Sequence, residues 1–156
     1  MKCYFCGIYK KAAKDGLDKG ICSFSIPELG LLHRAVVIDD KDEILLDFSS
    51  LLLLFEFVIL NPLFFKNISF LDFKGSNTKV LEYINSEKDI PKKVTSFRNA
   101  VVSFCIELRK MGIESHFVKV SKSKNFALLG VDTLKTDKEL MSFLENIQLE
   151  TNKWYK

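Results

Sequence analysis

Histidine, glutamine, proline and glycine are scarce in these 156 residues, and each scarcity excludes something. His33 and His116 are the only histidines, and neither has a nucleophile at motif spacing, so a Cys/His or Ser/His centre would have to be assembled wholly by the fold. The seven glycines are dispersed, so neither a phosphate-binding P-loop nor a dinucleotide fingerprint can be written anywhere. Gln148 is the only glutamine among many Lys and Glu, a bias that points to a heat-adapted source. No apolar run is long enough to span a bilayer: Glu56 interrupts the longest, and Asn61-Pro62 ends it. Met1-Lys2-Cys3 leads into polar sequence without an apolar leader core, which predicts a cytoplasmic protein.

What is present is a chain 47% apolar and 28% charged, enough for one domain with a real core. The net charge of +3 is unevenly spread. Residues 61–130 hold twelve basic against six acidic side chains, whereas residues 22–60 hold two against seven. Within the basic half, Lys119, Lys122 and Lys124, with Lys92, Lys93 and Arg98 before them, are the side chains available to track a phosphate backbone beside Phe126. An ordinary solvated lysine face is the competing explanation.

Cys3-x2-Cys6-Gly7 has the spacing of a metal knuckle, and Cys22 follows fifteen residues later. The segment resembles a zinc ribbon, with Cys3, Cys6 and Cys22 as thiolate ligands and His33, a carboxylate or a residue of a second chain as the fourth. The alternative is that the cysteines pack as small apolar side chains. On this basis residues 1–22 are expected to form a cysteine appendage and residues 23–156 a single α/β domain.

From Gly20 the pattern predicts a three-stranded meander: GICSFSI, HRAVVIDD and EILLDF, with a solvated turn at residues 39–42. Ser49-Ser50 is positioned to cap a helix over residues 51–60, and NISFLDF reads as a fourth strand. A buried strand is the rival for residues 51–60, because periodicity vanishes when every face is covered. Ser76-Asn77 then opens a helix. A longer one follows, whose apolar residues Phe97, Val101, Phe104, Cys105, Leu108 and Met111 share a face up to a stop at Gly112. Residues 113–120 read as a strand, residues 126–131 as a further strand or irregular return, and Thr136-x-x-Glu139 opens a last helix.

This order of elements resembles the ribonuclease H-like fold: a mixed sheet with an N-terminal meander, flanked by helices. In that family, carboxylates from the first strand, first helix, fourth strand and last helix hold two divalent metals for phosphodiester cleavage. The resemblance implies Glu56 on the first helix and Asp72 on the fourth strand as the acids of any such centre. The first strand as read here, CSFSI, contains no aspartate, and the nearest acid is Glu28. Only Asp132 or Asp137 is near the position of the last-helix acid. The incomplete set favours a non-catalytic binding protein for nucleic acid or a protein partner, with Glu56 and Asp72 structural. A metal-dependent nuclease is the rival. A third reading is a regulatory domain, since FLDFKGSNTKVLEYI resembles the strand, turn and helix of anti-sigma-factor antagonists, without their turn serines.

Overall fold

The computed structural model describes residues 1–10, 19–38, 41–86 and 89–128. The expected last helix lies outside them. Five strands, β1 (Lys2–Lys10), β2 (Lys19–Ile26), β3 (Leu31–Ile38), β4 (Phe70–Gly75) and β5 (Glu114–Lys119), form one sheet in the order β3-β2-β1-β4-β5. The first three are antiparallel neighbours; β4 runs parallel to β1, and β5 parallel to β4. Three helices complete the described fold: α1 (Glu43–Leu60), α2 (Thr78–Asn85) and α3 (Lys92–Lys110). Among the described residues no helix is long and apolar enough to cross a membrane.

The N-terminal meander is present, but it is built one strand earlier than the sequence suggests. Residues 2–10 are not an appendage: they form the central strand, paired on both sides with β2 and β4. EILLDF, expected as the third strand, is instead the opening of α1. The cause is Asp42, whose Oδ1 accepts from the Ile44 N–H at 2.9 Å and caps the helix well before Ser49-Ser50. The Lys93 ammonium at the start of α3 pairs with the same carboxylate. Once capped there, α1 runs 18 residues and buries Leu46, Phe48, Leu51, Leu54, Phe55 and Val58, which explains its continuous apolarity.

Strand alternation decides which side chains meet α1. Cys3 and Phe5 point into the main core with Phe24, Ile26, Phe55 and Phe73, while Tyr4 and Cys6 face the opposite side with Ala127 and Leu128. Asn77 caps α2 as expected, accepting from the Lys79 N–H at 3.0 Å. The α3 stripe closes the core through buried Val101 and Leu108, and Gly112 takes the left-handed φ of 82° expected of a helix stop. Met111 at its end is exposed.

Candidate functional site

The site is a cleft of about 440 Å³ where the first strand, the first helix and the turn after the fourth strand converge. Cys6, Gly7 and Ile8 come from β1, Glu43 and Asp47 from α1, Ser76 and Asn77 from the turn after β4, and Thr78 from the start of α2. Lys122 and Leu128, from the segment after β5, close the remaining side.

Gly7 is the residue that lets α1 come so close. A Cβ there would stand 2.2 Å from the Leu46 carbonyl carbon and 2.3 Å from the Asp47 nitrogen, so helix backbone lies directly against strand backbone. Polar side chains lock this contact. The Asp47 Oδ1 accepts the Gly7 N–H at 2.8 Å. Ser50 Oγ lies 2.7 Å from the Cys6 carbonyl and 2.9 Å from that of Leu46, and accepts the Ser23 N–H at 3.2 Å. Across the cleft, buried Asn125 donates from Nδ2 to the Phe5 carbonyl at 3.1 Å and to Ser76 Oγ at 2.9 Å. Its Oδ1 accepts from the Ala127 N–H at 3.0 Å, which fixes the segment carrying Lys122 and Leu128.

Asp47 is only 3% exposed, and its Oδ2 has no hydrogen-bond partner among the described residues. Burial pushes its carboxyl up from an ordinary 3.8 to about 7; the Gly7 hydrogen bond opposes the rise and nearby Glu43 adds to it. Between those values the folded chain holds a proton that the unfolded chain releases, so Asp47's contribution to stability falls as pH rises through that window. Urea unfolding at about pH 4 and about pH 8 is expected to show this slope in the wild type and to lose it in Asp47→Asn.

Several sequence-predicted residues do not join the site. Glu56 is exposed on α1, nine residues beyond Asp47, or about 13 Å along the helix. Asp72 lies inside β4 rather than at its end, between the core residues Leu71 and Phe73, so it points away from α1. The sheet therefore separates Glu56 from Asp72. Asp72 Oδ1 instead lies 3.3 Å from Nδ1 of His116, whose exposed ring stacks on Phe70.

The zinc-ribbon expectation is corrected as well. Cys3 and Cys6, three positions apart on an extended strand, project from opposite faces of the sheet. Burial pushes the Cys3 thiol up to about 12, which keeps it neutral. Cys22 donates to the Leu46 carbonyl at 3.4 Å on the α1 side, whereas Cys6 packs with Ala127 and Leu128 on the other. His33 falls on β3, with its side chain outside the described part. The three thiols cannot close on one zinc ion. Among the described residues no group of three His, Cys, Asp or Glu side chains is placed to hold a metal.

The basic set divides in two. Lys119 donates to Thr78 Oγ1 at 2.6 Å and Lys122 lines the cleft, with Lys124 exposed beside them and Phe126 packed edge-on against Tyr4. Lys92, Lys93 and Arg98 ride on α3 instead and line no part of the cleft. Asp47, Ser76 and Asn125 are the site residues that sequence reasoning missed. An acid inside the run Leu45-Leu46-Asp47-Phe48, one turn from Glu43, was the available signal for the first.

The strand order, the parallel β4 and β5 and the position of α1 make this a ribonuclease H-like fold. Ribonuclease H1 from the halophilic archaeon Halobacterium salinarum NRC-1 is similar at 12% identity and a TM-score of 0.56, over 81% of this chain and 89% of that one. LC11-RNase H1 in complex with an RNA/DNA hybrid is similar at 11% identity and a TM-score of 0.58, over 80% and 87% of the two chains. The N-terminal RNase H domain of rv2228c from Mycobacterium tuberculosis gives 9%, 0.53, 90% and 97%. At these identities the likeness is one of fold. No protein-family model and no curated protein matches the sequence.

On the central strand the cleft is lined by Cys6, Gly7 and Ile8, and after the fourth strand by Ser76 and Asn77, none of them acidic. Among the described residues only α1 contributes acids to the cleft, Glu43 and Asp47. Two carboxylates on one helix, one of them buried and inclined to hold its proton, do not fit a pair of divalent ions among the described residues. The stretch read as similar to an anti-sigma-factor antagonist forms β4, the turn after it and α2, and of it Ser76, Asn77 and Thr78 line this cleft.

Proposed function

We propose that this chain is a nucleic-acid-binding protein that uses the cleft of a ribonuclease H-like fold to hold a strand without cutting it by a two-metal route. The observation that carries the reading is the cleft itself: it keeps the fold's location, loses acids from the strand and turn positions, and has lysines at its mouth. An ammonium at Lys119, Lys122 or Lys124 can neutralise a backbone phosphate, and Phe126, 39% exposed beside them, offers a ring face for a base.

The triple variant Lys119→Ala, Lys122→Ala, Lys124→Ala tests this. Fluorescence anisotropy of a labelled RNA strand, alone and hybridised to DNA, is expected to show weaker binding and a salt dependence shallower by about two to three. Lys66→Ala, beyond the far end of α1, serves as the control and should leave both unchanged. Equal salt slopes for the triple variant and the wild type would move the interface elsewhere. Absence of binding to either nucleic acid would leave a protein partner as the reading to pursue.

A further inference from the structure

We infer that proton binding and strand binding are linked in this cleft: the chain holds an anionic strand more tightly while Asp47 is neutral and releases it as Asp47 ionises. This rests on the nucleic-acid reading of the cleft and adds to it a means of regulation by pH. The geometry is the first ground. Asp47 sits where α1 and β1 touch, with Oδ1 held by the Gly7 N–H at 2.8 Å and Oδ2 buried without a partner among the described residues. A carboxylate in that place has one donor to stabilise its charge, so the packing favours the neutral acid. Burial accordingly pushes the carboxyl up to about 7, within the range that a cell's pH crosses.

The charged neighbours decide what ionisation does to a ligand. On α1, Glu43 lies one turn before Asp47 and lines the same cleft, while Asp42 beside it is paired with Lys93 of α3. Lys122, from the segment after β5, is the only cation on the lining among the described residues and makes no ion pair there. β1 brings Cys6, and β2 brings Cys22, whose thiol donates to the Leu46 carbonyl. The turn into α2 brings only the uncharged Ser76, Asn77 and Thr78, with Lys119 donating to Thr78 from the mouth.

Below the transition, then, the lining sets Glu43 against Lys122. Above it, two acids face that one cation. A phosphate backbone entering the cleft meets one more negative charge at high pH, and its affinity falls. The buried Oδ2 needs no contact with the ligand for this, because a charge in a low-dielectric wall acts across several ångströms. Reciprocally, a bound strand must favour the protonated acid by the same factor, so binding takes up protons. His116 pairs with Asp72 on the side of the sheet away from α1, and replacing Asp47 separates any effect of that imidazole from this one.

Anisotropy of a labelled RNA single strand at constant ionic strength tests the linkage, with circular dichroism to show the chain folded at each pH. Binding is expected to be about two- to fivefold weaker at pH about 8 than at pH about 6. Titration calorimetry in two buffers of different ionisation enthalpy should show uptake of about a quarter to a half of a proton per bound strand between those values. Asp47→Asn, which cannot ionise, should flatten the first and abolish the second, neither of which follows from a purely structural role. Glu43→Gln, at an exposed position, should move the midpoint of the pH dependence downward, because Glu43 helps to raise the Asp47 carboxyl.

Equal binding across this range overturns the linkage and leaves the strand-binding reading standing. A folded Asp47→Asn with a pH slope as steep as the wild type's does the same. Should Asp47→Asn not fold, Glu43→Gln decides, and an unshifted midpoint overturns the linkage. Absence of strand binding at every pH sinks both the linkage and the reading beneath it.

Discussion

Gly7→Ala is expected to destabilise the protein by about 3 kcal/mol, at the upper end of what overpacking usually costs. The reason is that the clash is with backbone. The added methyl would lie 2.2 Å from the Leu46 carbonyl carbon and 2.5 Å from Leu46 Cβ, and no side-chain rotation relieves the first of these. The helix must move away from β1, which stretches the Asp47 to Gly7 hydrogen bond and the contact of Ser50 Oγ with the Cys6 carbonyl. Because α1 also supplies Glu43 and Asp47 to the cleft, the same shift should weaken ligand binding. Urea denaturation reads the stability, and thermal melting should fall by roughly 6–12 °C for a chain of this size. An unchanged midpoint would mean that α1 does not seat on Gly7.

Phe55→Ala is expected to cost about 3–5 kcal/mol, with little direct effect on the cleft. Phe55 is fully buried, and its ring lies 4.7 Å from that of Phe73, 5.4 Å from Phe104 and 6.4 Å from Phe117. It thus joins α1 to β4, α3 and β5 at one point. The cavity left by its removal would have walls on four elements that cannot collapse together. Phe104→Ala, on the half-buried side of the stack, should cost less. If the two variants melt alike, the centre of the aromatic cluster lies nearer α3 than the ring distances indicate.

The order of elements was legible because helix and strand signals recur at recognisable lengths: the capped α2, the striped α3 with its glycine stop, and the strand after it. Local identity failed where one motif outweighed another. Cys3-x2-Cys6 has metal-knuckle spacing, yet in a strand three positions separate opposite faces, so the same residues serve two different packing surfaces. In α1 the apolar run hid the helical period, and Asp42, inside what reads as a solvated acidic turn, carried the start signal. Asp72 drew notice as an acid near a strand end, but one residue of alternation puts it on the far side of the sheet from the helix.

The site was less legible than the fold for a physical reason. Its distinguishing features are a close approach at Gly7, a buried Asp47 oxygen with no partner among the described residues, and a buried amide at Asn125 that joins residues 49 and 120 positions apart. None of these is a spacing in the chain. They arise only when β1 lies beside β4 and beneath α1.

The central claim is that the cleft binds nucleic acid without two-metal cleavage. The most direct test follows one labelled RNA strand, free and hybridised to DNA, by anisotropy and by gel in the same samples, with Mg²⁺, with Mn²⁺ and with chelator. The account predicts saturable binding that persists in chelator and strands that remain intact with either metal. Cleavage that appears with Mg²⁺ or Mn²⁺, stops in chelator and disappears in Asp47→Asn would contradict it.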